Sequence, residues 1–251
     1  MISGKPCVLV VDDDPVSLGF LTAAIDQCGG TAVPAASADA ALATSSTAML
    51  DLLLIDQHLP DANGIELLRR LRARGVAAPA VATSADIAAA DQVRLIAAGF
   101  AATLRKPAAV AAIHALVRRL IDLPATAVAP QRGDGEAQRN DGEAILDDPV
   151  ALVAIGGDRA TLRALRGLLA GELEALIALL LGNAAASDAS GFANSLHRLR
   201  ASCGFCGAPA LGAAAAAFET CLRSESGDAG GTRKTFLQAC ITTRDALASG
   251  G

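Results

Sequence analysis

Several short stretches of this chain end in residues that could do chemistry. "CVLVVDDDP" closes an apolar run with Asp12, Asp13 and Asp14, and "DLLLIDQHLP" closes another with Asp56, followed by His58. "PAVATS" leads into Ser84, and "AATLRKP" leads into Lys106. Carboxylates that converge in one pocket repel each other, and a hard divalent cation relieves that repulsion. One carboxylate beside such a cation, a lysine and a hydroxyl is the equipment for phosphoryl transfer. The carboxylate attacks phosphorus, the cation and lysine neutralise the equatorial oxygens, and the hydroxyl donates a hydrogen bond.

A separate stretch, "GFANSLHRLRASCGFCG" (191–207), holds a histidine and a C-x-x-C. On a helix, Phe192, Leu196, Leu199, Cys203 and Cys206 recur at three- and four-residue steps and form a core stripe. The two cysteines continue that stripe, so they read as small buried hydrophobes. A redox or zinc role lacks both a βαβ context and a second Cys/His pair at zinc spacing. His197 lies off the stripe, with Arg200, Ala201 and Gly204 on its own face. An exposed imidazole with a neighbouring cation and small flanking residues suits a phosphorylated histidine approached by another protein.

The elements that must position these residues divide the chain in two. Residues 5–121 alternate short apolar runs (7–11, 31–35, 51–55, 79–83 and 101–104) with amphipathic stretches. That alternation implies a parallel sheet with helices on both faces. The chemical residues stand at the carboxyl ends of the runs, where sites form in such sheets. Pro34 removes a ladder donor from the second run, so that strand belongs at an edge, where a 2-1-3-4-5 order places it. Residues 124–143, rich in Pro, Gly and alternating charge, read as a flexible linker. From about 144 onward the pattern is helical. Leu162, Leu165, Leu169, Leu173, Leu176 and Leu180 mark one amphipathic helix. Further helices are expected at 188–206, 208–223 and 231–248, which predicts a small antiparallel bundle. His114 lies in an amphipathic helix of the first half and reads as structural.

Composition narrows the function. The 251 residues are 52% hydrophobic, carry a formal net charge of -5, and include six Phe but no Trp or Tyr. Sequence-independent nucleic-acid binding needs clustered cations and stacking aromatics, so no nucleic-acid partner is expected. No uncharged run approaches the roughly 20 residues that span a bilayer. "MISGKPCVLVVDDD" lacks a signal-peptide pattern, so a cytoplasmic protein without a membrane partner, and with mostly reduced cysteines, is expected.

"VLVVDDDP", "DLLLIDQHLPDANGIELL", "ATSA" and "LRKP" resemble the four signature segments of response-regulator receiver domains, in order and over about 115 residues. The resemblance implies an α/β flavodoxin-like (βα)5 fold with Asp56 as phospho-acceptor. It further implies Mg²⁺ held by Asp12, Asp13, Asp56 and the backbone carbonyl of His58, with Ser84 as the switch hydroxyl and Lys106 as the phosphate-binding lysine. Pro60 and Gly64 shape the loop after Asp56. Thr103 stands where the family usually has an aromatic switch residue.

The second half resembles the histidine-phosphotransfer (HPt) domain motif at His197, Leu199, Arg200, Ala201, Ser202, Gly207, Ala208 and Leu211. The resemblance implies phosphorylation of His197, supported by Arg200, Ala201 and Gly204. It departs from the motif in having Arg200 for lysine and Ala201 for glycine. "GGD" (156–158) and Glu219 also fit that family.

The two resemblances together predict a receiver over 1–122, a linker over 123–143 and an all-α HPt bundle over 144–251, with no independent catalytic output domain. The expected partners are a sensor histidine kinase and other receiver or HPt proteins. A linker of about 20 residues has an r.m.s. span of roughly 25 Å, which brings His197 within reach of Asp56 in the same chain. One rival reading is an inert helical domain that regulates a kinase by binding it. Another is a thiol sensor at Cys203 and Cys206.

Overall fold

The computed structural model describes residues 5–45, 49–84, 88–121, 145–182, 189–223 and 229–249. The linker expected at 123–143 lies outside them. The first half forms β1 (Cys7–Val11), α1 (Pro15–Gln27), β2 (Thr31–Ala35), α2 (Ala38–Thr44), β3 (Leu52–Asp56), α3 (Gly64–Ala73), β4 (Ala80–Ser84), α4 (Ala89–Ala97), β5 (Ala102–Arg105) and α5 (Val110–Leu120). The second half forms α6 (Asp148–Ala154), α7 (Arg159–Leu181), α8 (Ala189–Cys206), α9 (Pro209–Arg223) and α10 (Ala229–Ser249).

All described strand pairs are parallel, in the order β2-β1-β3-β4-β5. β3, β4 and β5 each begin one residue later than the apolar runs suggested. Asp51, just before β3, pairs twice with Cys7 of β1: its backbone N–H donates to the Cys7 carbonyl at 2.8 Å and its side chain accepts from the Cys7 N–H at 2.7 Å. Pro34 sits in edge strand β2, opposite Val10.

Helix starts follow capping chemistry. Asp14, Ser37, Asn63 and Asp158 each accept a backbone N–H in the first turn of α1, α2, α3 and α7. In α7, Leu162, Leu165, Leu169, Leu173 and Leu180 are buried as the spacing predicts, but the fifth buried position of the stripe is Ile177, and Leu176 is only half-buried. At period 3.6 the stripe drifts round the helix, so a long run of three- and four-residue steps must shift phase.

The sheet divides the apolar residues into two clusters. One holds β-strand residues facing α2, α3 and α4. The other starts at Val8 and Val10, crosses α1 and α5, and continues without a break into Leu165, Leu169, Phe205 and the rest of the bundle. The bundle therefore packs on the α1/α5 face of the sheet domain. Phe20 of α1 stacks on Phe205 of α8, with ring centroids 4.0 Å apart and planes 18° apart. Gly19 allows α1 and α7 this close, because a Cβ there would meet Leu165 and Leu168 at 3.3 Å.

Candidate phosphotransfer site

The acidic pocket is built by strand ends. β1 delivers Asp12, Asp13 and Asp14; β3 ends on Asp56; β4 ends on Ser84; Lys106 follows β5. Asp12, Asp56, Ser84 and Lys106 are all buried. The backbone N–H of Lys106 donates to the Ser84 carbonyl at 2.8 Å, which ties the ends of β4 and β5 together.

Lys106 Nζ lies 2.5 Å from Asp12 Oδ2 and 2.6 Å from Asp56 Oδ2. Burial works against the lysine charge, but Asp12 and Asp56 outweigh it and hold its pKa above the usual lysine range. Burial pushes Asp12 up to about 7, although Lys106 and the Ser17 hydroxyl stabilise its charge. Burial also raises Asp13, against the pull of Arg198. The His58 N–H donates to Asp56 Oδ1 at 3.2 Å, and His58 bridges Asn63 at the start of α3, which shapes the loop after Asp56. Thr103, on β5, is half-buried.

The residues fit a divalent cation. Asp12, Asp13 and Asp56 each offer a carboxylate oxygen within 4.8 Å of the others. Asp13 Oδ1 is buried and has no hydrogen-bond partner among the described residues. An all-oxygen set with an unfilled buried acceptor suits Mg²⁺.

The second candidate residue lies beside this pocket. α8 packs against α1 of the receiver, and its Gly204 faces Pro107 in the loop between β5 and α5. His197 is half-buried there, its side chain 16% exposed, rather than standing free as the helix pattern suggested. Its ring is 6.3 Å from that of His58, edge-on. His197 lines two clefts. One, of about 920 Å³, also exposes Gln57, His58 and Ser84. The other, of about 410 Å³, also exposes Lys106 and Pro107.

The three expected supports of His197 have distinct surroundings. Arg200 donates to Glu219 of α9 at 3.0 Å. Ala201 is buried. Gly204 faces Pro107, and a Cβ there would come within 2.8 Å of the proline ring. Glu219 is itself buried, is paired also with Arg223 at 2.7 Å, and places Oε1 3.4 Å from His197 Nδ1.

Sequence reasoning missed the polar contacts that join the halves. Arg198 pairs with Asp13, and the Ser202 hydroxyl donates to Asp14 Oδ2 at 2.7 Å. Glu172 of α7 lies near the same acids. Burial, and then the charge and hydrogen bond of Asp14, push it up to about 8. A signal for Arg198 and Ser202 existed: with Phe205 they recur at four and three, a second stripe beside the core one.

The remaining candidates behave as structure. Burial holds the Cys203 thiol well above its usual value and pushes Cys206 up to about 12, so neither supplies the thiolate that redox or metal chemistry requires. His114 Nε2 sits 2.9 Å from the Ala24 carbonyl, between α5 and α1.

Comparison with known proteins matches residues 8–118 to the response regulator receiver domain and residues 163–246 to the Hpt domain. The chain is 25% identical over 232 residues to the sensor histidine kinase GacS of Pseudomonas protegens, covering 90% of this chain and 25% of that protein. It is 26% identical over 210 residues to the signal transduction histidine-protein kinase BarA of Shigella flexneri, covering 81% of this chain and 22% of that protein. The chain thus spans about a quarter of the length of these relatives. A response regulator receiver domain from Methanospirillum hungatei is 24% identical, with a TM-score of 0.45, over 47% of this chain and 95% of that one. Among the described residues, no helix is long and apolar enough to cross a membrane.

Proposed function

Because the chain joins a response regulator receiver domain to an Hpt domain, we propose that it is a phosphorelay protein in which Asp56 and His197 exchange a phosphoryl group within one molecule. The receiver extends over 1–122 and the HPt part over 144–251, with 123–143 between them. The observation that carries the reading is that His197 opens onto both clefts, one shared with Ser84 and one with Lys106. Those are the two side chains suited to hold a phosphoryl group on Asp56.

Asp56 accepts the phosphoryl group as an acyl phosphate. Lys106 neutralises its oxygens, and the Ser84 hydroxyl donates to one of them. Mg²⁺, held by Asp12, Asp13, Asp56 and the His58 carbonyl, supplies further charge neutralisation when bound. Transfer to His197 forms a nitrogen–phosphorus bond as the acyl oxygen–phosphorus bond breaks, and the Asp56 carboxylate leaves. Glu219, beside Nδ1, favours the tautomer with its proton there and leaves Nε2 as the nucleophile. Arg200 and Arg223 offset the charge of Glu219.

A sensor histidine kinase is the expected donor to Asp56, and another receiver is the expected external partner of His197, in the cytoplasm. Kinase regulation by an inert bundle is not favoured, because the bundle presents its histidine to the pocket.

Phosphorylation with acetyl phosphate and Mg²⁺, followed by acid or alkali, tests the proposal. Acyl phosphate is lost in alkali, whereas phosphohistidine survives alkali and is lost in acid. Wild type is expected to gain alkali-stable label that disappears in His197→Gln. Asp56→Asn is expected to lose all label. Base-labile phosphate that persists in Asp56→Asn would contradict the assignment of Asp56, and alkali-stable label in His197→Gln would contradict that of His197.

A further inference from the structure

Arg198 reaches from α8 to the pocket of the other half of the chain and pairs with Asp13. Asp13 is also one of the three carboxylates grouped to hold a cation. We propose that Arg198 and a divalent cation are antagonists at Asp13, so that docking of α8 and metal loading of the receiver oppose each other. The proposal rests on the phosphorelay reading only for the identity of the cation.

Formal charge carries the first part of the inference. Counted over the three grouped carboxylates alone, Asp12, Asp13 and Asp56 against Lys106 leave two negative charges, which one divalent cation neutralises. With Arg198 docked, one of those charges is already met. A divalent cation then leaves that group with a net positive charge and sets the cation beside a guanidinium. Asp13 Oδ1 remains available to metal while Oδ2 holds Arg198, so the conflict is one of like charge rather than of occupied space.

Geometry carries the second part. The Asp13 side chain is 10% exposed, but that of Arg198 is 34% exposed, so the arginine has an escape route into the cleft it lines. Other contacts that hold α8 to the receiver, among them Ser202 to Asp14, Phe205 on Phe20 and Gly204 against Pro107, do not involve the metal-grouped carboxylates. Metal loading therefore releases one end of the α8 contact and leaves the rest in place. Coupling between two binding events is reciprocal, so docking must weaken the cation by the same factor that the cation weakens docking. Arg198 thus acts as a positioning residue that senses whether the receiver pocket is loaded.

Calorimetric titration of the full chain with MgCl₂ tests this without any phosphoryl donor. Arg198→Ala is expected to bind Mg²⁺ at least about fivefold more tightly than wild type, and Arg198→Lys, which keeps the charge, to stay near wild type. Hydrogen exchange of residues 196–206 in the wild-type chain gives a readout that needs no variant. It is expected to quicken with MgCl₂ relative to NaCl of equal ionic strength. Equal Mg²⁺ affinity in wild type and Arg198→Ala, or exchange that is unchanged or slowed by Mg²⁺, would overturn the proposal. Failure of every form to bind Mg²⁺ would instead overturn the receiver reading beneath it.

Discussion

The two proposed phosphoryl-bearing sites are built in opposite ways. The Asp56 pocket draws its residues from four strand ends, buries most of them, and locks Lys106 between two carboxylates at 2.5 and 2.6 Å. The His197 site is one residue on a helix surface, completed by Glu219 of α9 and by the receiver itself. A pocket made by the sheet is preorganised whether or not a partner is present. A site made by docking exists only while the two halves stay together. The difference teaches that chemistry at Asp56 should tolerate damage to the interface, whereas chemistry at His197 should not.

Phe205→Ala is the strongest way to sharpen that contrast. Removing a buried Phe typically costs about 3–5 kcal/mol, here with loss of the stack on Phe20. Thermal unfolding should shift down by roughly 6 °C or more, and label on Asp56 should persist while label on His197 falls. Equal loss at both residues would break the comparison.

Gly204→Ala probes the same contact more gently. The added methyl meets Pro107 at 2.8 Å, so α8 must shift away from the receiver. Transfer to His197, followed by alkali-stable label, should slow by about tenfold or more, since displacements of about 1 Å can cost that much. Loading of Asp56 by acetyl phosphate should stay near wild type.

The smallest expected effect is on pH dependence. Glu172 is pushed up to about 8 in the fold, above its ordinary carboxyl value. The folded chain therefore binds more protons than the unfolded one between about pH 4.5 and 8, so stability falls as pH rises through that window. Glu172→Gln should reduce this slope, leaving the part that the raised Asp12 and Asp13 contribute. At pH 9 it should raise the melting temperature by about 2–4 °C, the effect of roughly 1 kcal/mol, and at pH 4 it should change little. An unchanged slope would show that Glu172 does not titrate against Asp14 at the interface.

Much of the receiver was legible because its signals are local and repeated. Apolar runs gave five strands to within one residue, and Pro34 located the edge. Asp12, Asp13, Asp56, Ser84 and Lys106 could be placed together because each follows a strand and parallel strands share one carboxyl end. The stripe through Cys203 and Cys206 likewise foretold their burial. The interface was not read. Arg198, Ser202 and Glu172 are residue types that normally face water, and nothing in their own helices shows that another domain supplies Asp13 and Asp14. A warning was present in α1, "PVSLGFLTAAIDQ", which is apolar round much of its circumference. A helix of that kind is covered on more than one side, and the second cover is the HPt bundle.

The central claim is that one molecule passes its phosphoryl group between Asp56 and His197. The most direct test loads Asp56 with acetyl phosphate and follows alkali-stable label at several protein concentrations, beside a mixture of Asp56→Asn and His197→Gln chains. Transfer within one chain predicts a rate constant that does not change on dilution, and slow transfer in the mixture. A rate proportional to protein concentration, matched by the mixture, would contradict it and make the docked α8 a contact without a role in transfer.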